Sequence, residues 1–313
     1  MKKAFVFPGQ GSQKIGMGKD LCDSFAEARE VFEEVDDVLG QKLSALIFEG
    51  SEEELKQTAN TQPALMAVSL ATLRVLLKQS GKNIQELAVF AAGHSLGEYA
   101  ALCAAESLSL ADTAVLLRKR GLAMQEAVPV GVGGMAALMG VDIEVAREIA
   151  AAAAQSEVCT AANDNASGQV VLSGHVGALG RALVIAAERG FKRSVKLPVS
   201  APFHSVLMKP AADVMKEALD QTILKEPVIP VIPNVLAQAT QDPAQIRALL
   251  VEQITGSVRW RESVLYMKEQ GVQQFVECGS GKVLTGLTRR IDKGLASRAI
   301  GTAEDIDNFL KEL

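Results

Sequence analysis

The segment Ala91-Ala92-Gly93-His94-Ser95-Leu96-Gly97-Glu98-Tyr99 decides the fold of this chain. An apolar run over 87–92 predicts a buried strand, and an Ala- and Leu-rich run over 99–105 predicts a helix. The Gly-x-Ser-x-Gly between them has the spacing of a nucleophile elbow, a sharp turn that exposes one serine hydroxyl at the end of a sheet. The alternative is an ordinary glycine-containing turn in which Ser95 is a helix N-cap.

A nucleophile elbow requires both the two glycines and the helix that follows, for physical reasons. A turn this sharp leaves no room for a Cβ on either side of the nucleophile, so Gly93 and Gly97 are expected there. The first backbone N–H groups of the helix, and its positive dipole end, would face an oxyanion formed on a substrate.

Composition and charge exclude several classes of function. The 313 residues are 48% hydrophobic and 22% charged, which is enough to build one or two sizeable domains. A net charge of −5 and only 4% aromatic residues argue against nucleic-acid binding. The four cysteines form no CxxC pair, which favours free thiols in a reducing cytoplasm over a zinc site or a disulfide framework. No run of about 18 apolar residues predicts a membrane span.

The order of predicted elements indicates an α/β protein with an insertion. A short strand over 4–7 and the elbow strand begin a large domain, and a long helix is predicted over 64–78, starting at Gln62-Pro63. The pattern βαββαβ then follows over 131–197, with 163–168 read as a turn, and is typical of a ferredoxin-like fold. We therefore expect a large domain made of 1–130 and 198–313, with a small inserted domain at 131–197.

Two polar residues are candidates for a ligand site. Gln10 lies in a Gly-rich turn directly after the first strand, where α/β sheets bind ligands, although a plain turn glutamine is an equal alternative. Arg120 lies on a predicted helix with Leu116, Leu117 and Met124 at helical spacing, which allows it to point inward. A solvated basic surface is the other interpretation of the Arg118-Lys119-Arg120 run.

A serine nucleophile needs a base, and the chain has only three histidines. His94 adjoins Ser95 and is expected to point to the opposite face, so a structural role fits it better. His175 lies in a Ser-Gly-His turn of the inserted segment. By elimination His204, in the loop after the insertion, is the best candidate for the base.

The chain carries an ordered set of motifs: FPGQGSQ at 7–13, GHSLGEY at 93–99, Arg120-Gly with MQEAVP at 124–129, LPVS at 197–200, His204 and GKVLTGL at 281–287. Taken together, these motifs resemble the malonyl-CoA:acyl carrier protein transacylase family of bacterial fatty acid synthesis. The resemblance runs nearly end to end, and it is the ordered set of motifs that is specific.

The resemblance implies a fold, a reaction and a set of roles. The fold is a hydrolase-like α/β domain with an inserted ferredoxin-like domain, and the reaction transfers malonyl from malonyl-CoA to acyl carrier protein, in the cytoplasm and without a metal or other cofactor. The implied roles are Ser95 as nucleophile, His204 as base, Gln10 and the Leu96 N–H as oxyanion hole, Arg120 as carboxylate clamp, and the Gln253 carbonyl as the group that orients His204.

Two further expectations follow from the implied reaction. Phe203, beside His204, should crowd a branched α-carbon and so favour malonyl over methylmalonyl. Exposed basic residues would dock the acidic carrier protein, with an ordinary solvated surface as the alternative. These residues are Lys192, Arg193, Lys196, Arg289, Arg290 and Lys293.

Three alternative functions stay open from the sequence. A serine esterase or thioesterase has the same elbow, but an inward Arg and the lack of an evident acid partner favour transfer over hydrolysis. An acyltransferase of polyketide synthesis and a non-catalytic module that binds a carrier protein are the others.

Overall fold

The computed structural model describes residues 1–199 and 201–313, so Ser200 of the 197–200 motif lies outside the described residues. The strands are β1 (Lys3–Phe7), β2 (Phe90–Gly93), β3 (Gly133–Met139), β4 (Cys159–Ala166), β5 (Gln169–His175), β6 (Val195–Lys196), β7 (Val231–Ile232), β8 (Gln274–Cys278) and β9 (Ala296–Ile300).

The helices connect these strands and cover the sheets. They are α1 (Lys19–Ser24), α2 (Ala26–Leu39), α3 (Leu43–Glu49), α4 (Glu52–Lys56), α5 (Thr58–Ser80), α6 (Ile84–Leu87), α7 (Gly97–Ala104), α8 (Leu110–Glu126), α9 (Ile143–Ala154), α10 (Val176–Glu188), α11 (Lys209–Asp220), α12 (Pro243–Thr255), α13 (Trp260–Glu269), α14 (Val283–Ile291) and α15 (Ala303–Leu310).

The larger sheet is parallel and has β1 at its centre, in the order β7-β2-β1-β8-β9. Phe5 and Phe7 pack into the core on one face of β1, and Ala4 and Val6 pack into the core on the other. Burial on both faces explains why this strand is continuously apolar rather than alternating. The carboxyl ends of β1, β2 and β7 lie side by side at one edge, where the polar loops that follow them meet.

The second sheet is antiparallel, in the order β4-β5-β3-β6. Its chain order, βαββαβ with α9 and α10 as the two helices, is the predicted ferredoxin-like pattern. The side chains of Leu138, Leu172, Ile149 and Leu179 form a core apart from the one around β1. On this separate core we propose that 131–197 is an inserted domain between 1–130 and 198–313.

Several element boundaries differ from the sequence-based expectation. Leu87 ends helix α6 and the strand begins only at Phe90, because the Asn83 side chain caps this short helix. The residues Asn163, Asp164 and Asn165 belong to β4 and not to a turn. The buried side chains of Asp164 and Asn165 find partners in other segments, Arg261 and His94 respectively, and local turn propensity does not reflect such distant contacts.

Helix α5 begins at Thr58, upstream of the expected start at Gln62-Pro63, and contains Pro63 within it. The first turn packs tightly on α8, since a Cβ added to Gly121 would lie 2.7 Å from the Ala59 Cα. This packing outweighs the cost of a proline inside the helix and brings Gln62 against Arg120.

Candidate active site

Two positions of the elbow, Gly93 and Gly97, can be occupied only by glycine. A Cβ added to Gly93 would lie 1.9 Å from the Gly97 carbonyl carbon, and one added to Gly97 would lie 2.2 Å from the Phe7 oxygen. Between them Ser95 adopts φ = +52°, a left-handed conformation that is costly for a residue with a side chain. The strain lifts the Ser95 hydroxyl above the carboxyl edge of the parallel sheet.

His204 contacts the Ser95 hydroxyl directly, although the two residues are 109 positions apart. The distance from Ser95 Oγ to His204 Nε2 is 2.9 Å, and that from His204 Nδ1 to the Gln253 carbonyl oxygen is 2.8 Å. Because a carbonyl only accepts, Nδ1 must donate, which leaves Nε2 free to accept the serine proton. His204 also has a positive φ of 57°, so the loop aims the ring at the serine at some conformational cost.

Burial keeps the His204 imidazole neutral. The side chain is 4% exposed, and desolvation, followed by the charge of Arg120, lowers its pKa to about 3. The hydrogen bond to the Gln253 carbonyl acts in the opposite direction but is the weaker influence. The ring can therefore act as a proton acceptor throughout the neutral range.

Arg120 points inward and is 1% exposed. One guanidinium nitrogen, Nη1, donates to Gln62 Oε1 at 2.7 Å, while Nη2 donates to Gln253 Oε1 at 2.7 Å and to Ser95 Oγ at 3.1 Å. A fixed cation therefore lies beside the Ser95 hydroxyl, held by uncharged acceptors. A carboxylate entering this site would meet a guanidinium fork that stays charged even when desolvated.

Buried polar residues that the sequence analysis missed hold the elbow from below. The Ser95 N–H donates to Asn234 Oδ1 at 2.7 Å, and the Asn234 side chain donates in turn to the Gly93 carbonyl at 2.7 Å. Glu98, 2% exposed, accepts from the Asn234 backbone N–H at 2.8 Å. Asn234 follows β7 as Gln10 follows β1, and a polar residue after a parallel strand is the signal that could have found it.

The remaining candidates line one cavity of about 170 Å³ above the serine. Gln10 and Leu96 line it together with Ser95, and Phe203 lines it beside His204. The Ser95 N–H is engaged by Asn234, whereas the Leu96 N–H makes no hydrogen bond within 1–199 and 201–313. The Leu96 N–H is thus a donor available to an oxyanion.

His94 connects the elbow to the antiparallel sheet. Its Nε2 lies 2.8 Å from Asn165 Oδ1 on β4, and its ring packs on Trp260 with centroids 5.7 Å apart. Burial lowers the pKa of His94 and so favours the neutral ring. His94 therefore joins the two sheets at the cavity, while His204 is the histidine that contacts Ser95 Oγ.

Residues 1–199 and 201–313 contain neither a cluster of metal ligands nor a helix that could span a membrane. No cluster of three or more His, Cys, Asp or Glu side chains there has the geometry of a metal site. None of the helices in these residues combines the length and apolar character needed to cross a lipid bilayer.

Comparison with known proteins identifies the family. Residues 4–306 match the family model for the acyl transferase domain. The malonyl CoA-acyl carrier protein transacylase of Bacillus subtilis (strain 168) is 45% identical over 313 residues, which is 100% of this chain and 97% of that protein. The chain belongs to the acyl transferase family.

Solved structures of related proteins are similar in fold to this acyl transferase over its whole length. An acyl-carrier-protein-S-malonyltransferase from Bartonella henselae is 54% identical, with a TM-score of 0.97, over 100% of this chain and 99% of that one. A malonyl-transacylase solved in complex with a type II PKS acyl-carrier protein is 42% identical, with a TM-score of 0.96, over 100% of both chains. The α/β fold and the family expected from the sequence are thereby confirmed.

Proposed function

We propose that this protein transfers the malonyl group of malonyl-CoA to the phosphopantetheine thiol of acyl carrier protein, through a malonyl-serine intermediate. One observation carries the proposal: the hydroxyl of Ser95 lies 2.9 Å from a neutral imidazole and 3.1 Å from a buried guanidinium. The first contact activates a nucleophile, and the second selects an acyl group that ends in an anion.

In the first half of the reaction, Ser95 Oγ attacks the thioester carbonyl as His204 Nε2 takes the serine proton. The Leu96 N–H and Gln10 would stabilise the oxyanion, in the manner of an oxyanion hole. The tetrahedral intermediate collapses, the C–S bond breaks, and coenzyme A leaves with the proton from His204. A malonyl ester of Ser95 remains in the cavity.

In the second half, the carrier thiol attacks the ester carbonyl and His204 takes the thiol proton. The C–O bond to Ser95 breaks, and the proton returns to Ser95 Oγ. The Gln253 carbonyl, 2.8 Å from His204 Nδ1, would hold the ring in one orientation and stabilise the imidazolium in both halves.

Arg120 and Phe203 would set which acyl group is transferred. The guanidinium of Arg120 would bind the free carboxylate of the malonyl group, and Phe203 would crowd a branch on the α-carbon. We propose further that the reaction supplies fatty acid biosynthesis in the cytoplasm, and that these side chains carry it without a metal or other cofactor.

The decisive experiment is labelling with malonyl-CoA radiolabelled in the acyl group. We expect one label per chain, located at Ser95, stable in water and discharged by the carrier thiol. The Ser95→Ala variant should take up none, while Ser205→Ala should label normally, because Ser205 Oγ only donates to the Pro202 carbonyl. Rapid release of free malonate would instead indicate a hydrolase, and no labelling would indicate a non-catalytic binding protein.

A polyketide pathway is a second candidate because one similar structure holds a type II PKS carrier protein. Comparing transfer from the labelled enzyme to a fatty-acid carrier protein and to a type II PKS carrier protein distinguishes the two. Faster discharge by the fatty-acid carrier is the result expected here.

A further inference from the structure

The Glu98 carboxylate lies beneath the nucleophile and touches neither the cavity nor the reacting atoms. Glu98 occupies the first turn of α7 and is 2% exposed. Its Oε2 accepts two hydrogen bonds, from the Asn234 backbone N–H at 2.8 Å and from Gln253 Nε2 at 2.7 Å. Water cannot replace such bonds at a buried position, so removing either partner would leave a polar group unsatisfied.

The Gln253 side chain connects this carboxylate to Arg120. Its Nε2 donates to Glu98 Oε2, and its Oε1 accepts from Arg120 Nη2 at 2.7 Å. A guanidinium can only donate and the Oε2 of a carboxylate accepts here, so the amide has one self-consistent orientation. Turning the amide over would place NH₂ against the guanidinium and oxygen against oxygen.

Gln253 therefore serves two purposes at once. Its backbone carbonyl accepts from His204 Nδ1, while its side chain accepts from the guanidinium that would bind the malonyl carboxylate. The side-chain purpose depends on the amide orientation. Two acceptors of the Nε2 protons set it: Glu98 Oε2 at 2.7 Å and, at a longer distance of 3.0 Å, the Ser95 backbone carbonyl oxygen.

We propose that Glu98 is a positioning residue for acyl selection: by fixing the amide of Gln253, it holds the Arg120 guanidinium where it meets the malonyl carboxylate. This inference rests on the proposed function, since it assumes that Arg120 binds the carboxylate.

The role of Glu98 depends on its reach and its acceptor oxygen rather than on its charge. Burial raises the pKa of Glu98 to about 7, although its two donors and the charge of Arg120 act to lower it. The ionisable groups that face it are Arg120 from α8 and the adjoining Tyr99. A proton would lie on Oε1, which has no hydrogen-bond partner in the described residues, and Oε2 would accept in either state.

Two substitutions of Glu98 separate reach from charge. Glu98→Gln keeps the length and can place an amide oxygen where Oε2 lies, whereas Glu98→Asp keeps the charge but withdraws the acceptor by one methylene. The measurement is the ratio of kcat/KM for Ser95 acylation by malonyl-CoA to that by acetyl-CoA. Losing this one hydrogen-bonded constraint should lower the ratio about tenfold in Glu98→Asp, and Glu98→Gln should lower it by less than about threefold.

A third variant tests whether the effect passes through Gln253. Gln253→Met keeps the backbone carbonyl that faces His204 and removes only the amide. It should lower the same ratio as much as Glu98→Asp does, and the double variant Glu98→Asp/Gln253→Met should lower it no further.

Each outcome decides the matter. A ratio that is unchanged in Glu98→Asp but falls in Glu98→Gln would show that the charge matters and would overturn the proposal. Equal loss of acylation by malonyl-CoA and by acetyl-CoA would also overturn it, and so would effects that multiply in the double variant. If Glu98→Asp does not fold, Gln253→Met still tests the proposal. An unchanged malonyl-to-acetyl ratio in that variant would overturn it, because Gln253 is the residue through which Glu98 is proposed to act on Arg120. If the wild-type protein does not take up malonyl at all, the proposed function fails instead.

Discussion

At the scale of single residues, the Arg120 guanidinium beside the Ser95 hydroxyl leads to the most specific prediction. Replacing Arg120 by Ala should lower Ser95 acylation by malonyl-CoA on the order of 100-fold or more, because the substrate anion would be desolvated without a partner. Acylation by acetyl-CoA should fall much less. Initial rates with both donors provide the measurement.

The matched control is Arg118→Ala on the same helix. Arg118 donates to Asn60 and Gln41 rather than to the cavity, so its loss should leave the two rates in their wild-type ratio. Equal loss of malonyl and acetyl transfer in Arg120→Ala would reject the carboxylate clamp.

Phe203 should act on the branch of the acyl group. It is 8% exposed and lines the cavity beside His204. The wild-type protein should prefer malonyl-CoA to methylmalonyl-CoA at equal concentration, and Phe203→Ala should narrow that preference by opening space near the α-carbon. If Phe203→Ala prefers malonyl-CoA over methylmalonyl-CoA as strongly as the wild type does, another part of the cavity must exclude the branched acyl group.

The neutral His204 should leave a signature in stability. Its pKa is about 3 when folded and near 6.5 when unfolded, so between these values the unfolded chain binds more protons and stability falls as pH falls. Relative to His204→Gln, the wild-type protein should lose about 2 kcal/mol of unfolding free energy between pH 7 and pH 5.

Urea unfolding of both proteins at the two pH values measures this difference. The comparison with His204→Gln is needed because Glu98, whose pKa is raised to about 7, acts in the opposite direction, favouring the folded state at low pH. Glu98 is present in both proteins and cancels. A difference between the two proteins that does not change with pH would show that the imidazole is not held neutral by burial.

At the scale of elements, the strand-to-helix turn depends on two close backbone approaches. Gly93→Ala would put a Cβ 1.9 Å from the Gly97 carbonyl, so the turn must open. We expect a loss of about 3 kcal/mol or more in stability, with loss of malonyl labelling, from overpacking at a site that cannot relax.

The control for this change is Gly180→Ala in α10. Nothing lies within 4 Å of a Cβ added there, so the higher helix propensity of alanine should make the protein as stable as the wild type or slightly more so. Thermal melts and labelling of both variants provide the test. A Gly93→Ala protein with normal melting and labelling would contradict the steric account.

At the scale of the whole molecule, charge should distinguish the two half-reactions. The expected docking residues before and within β6, such as Lys192 and Lys196, and those of α14, such as Arg289 and Arg290, are exposed. Transfer from malonyl-enzyme to the acidic carrier protein should slow as salt rises from 50 to 500 mM (about 14 to 4 Å Debye length), and acylation by malonyl-CoA should change little.

Single-turnover rates of both steps across this salt series are the measurement. Charge reversal by Lys192→Glu should mimic high salt for the carrier step alone. Equal salt dependence in both steps would favour the view that these basic residues are an ordinary solvated surface.

Much of the molecule could be predicted because the signals are local. The apolar run of β1, the Gly-x-Ser-x-Gly turn and the βαββαβ order each depend on neighbouring residues, and each appears in the structure. Where prediction failed, distant partners outweighed local preference. Pro63 lies within a helix that packs on Gly121, and 163–165 belong to a strand in which Asp164 and Asn165 bind Arg261 and His94.

The α/β class, the turn that carries Ser95 and, through the ordered motifs, the family could all be predicted from the amino-acid sequence. From the sequence, His204 was a candidate only by elimination, and Arg120 could point either inward or to solvent. The reason is that both residues contact Ser95 from distant positions in the chain. Only the folded structure shows that Arg120 points inward, that Gln253 joins it to Glu98, and that Asn234 binds the Ser95 N–H. Buried hydrogen bonds between distant segments form only when the sheets and helices have packed, so no local pattern records them.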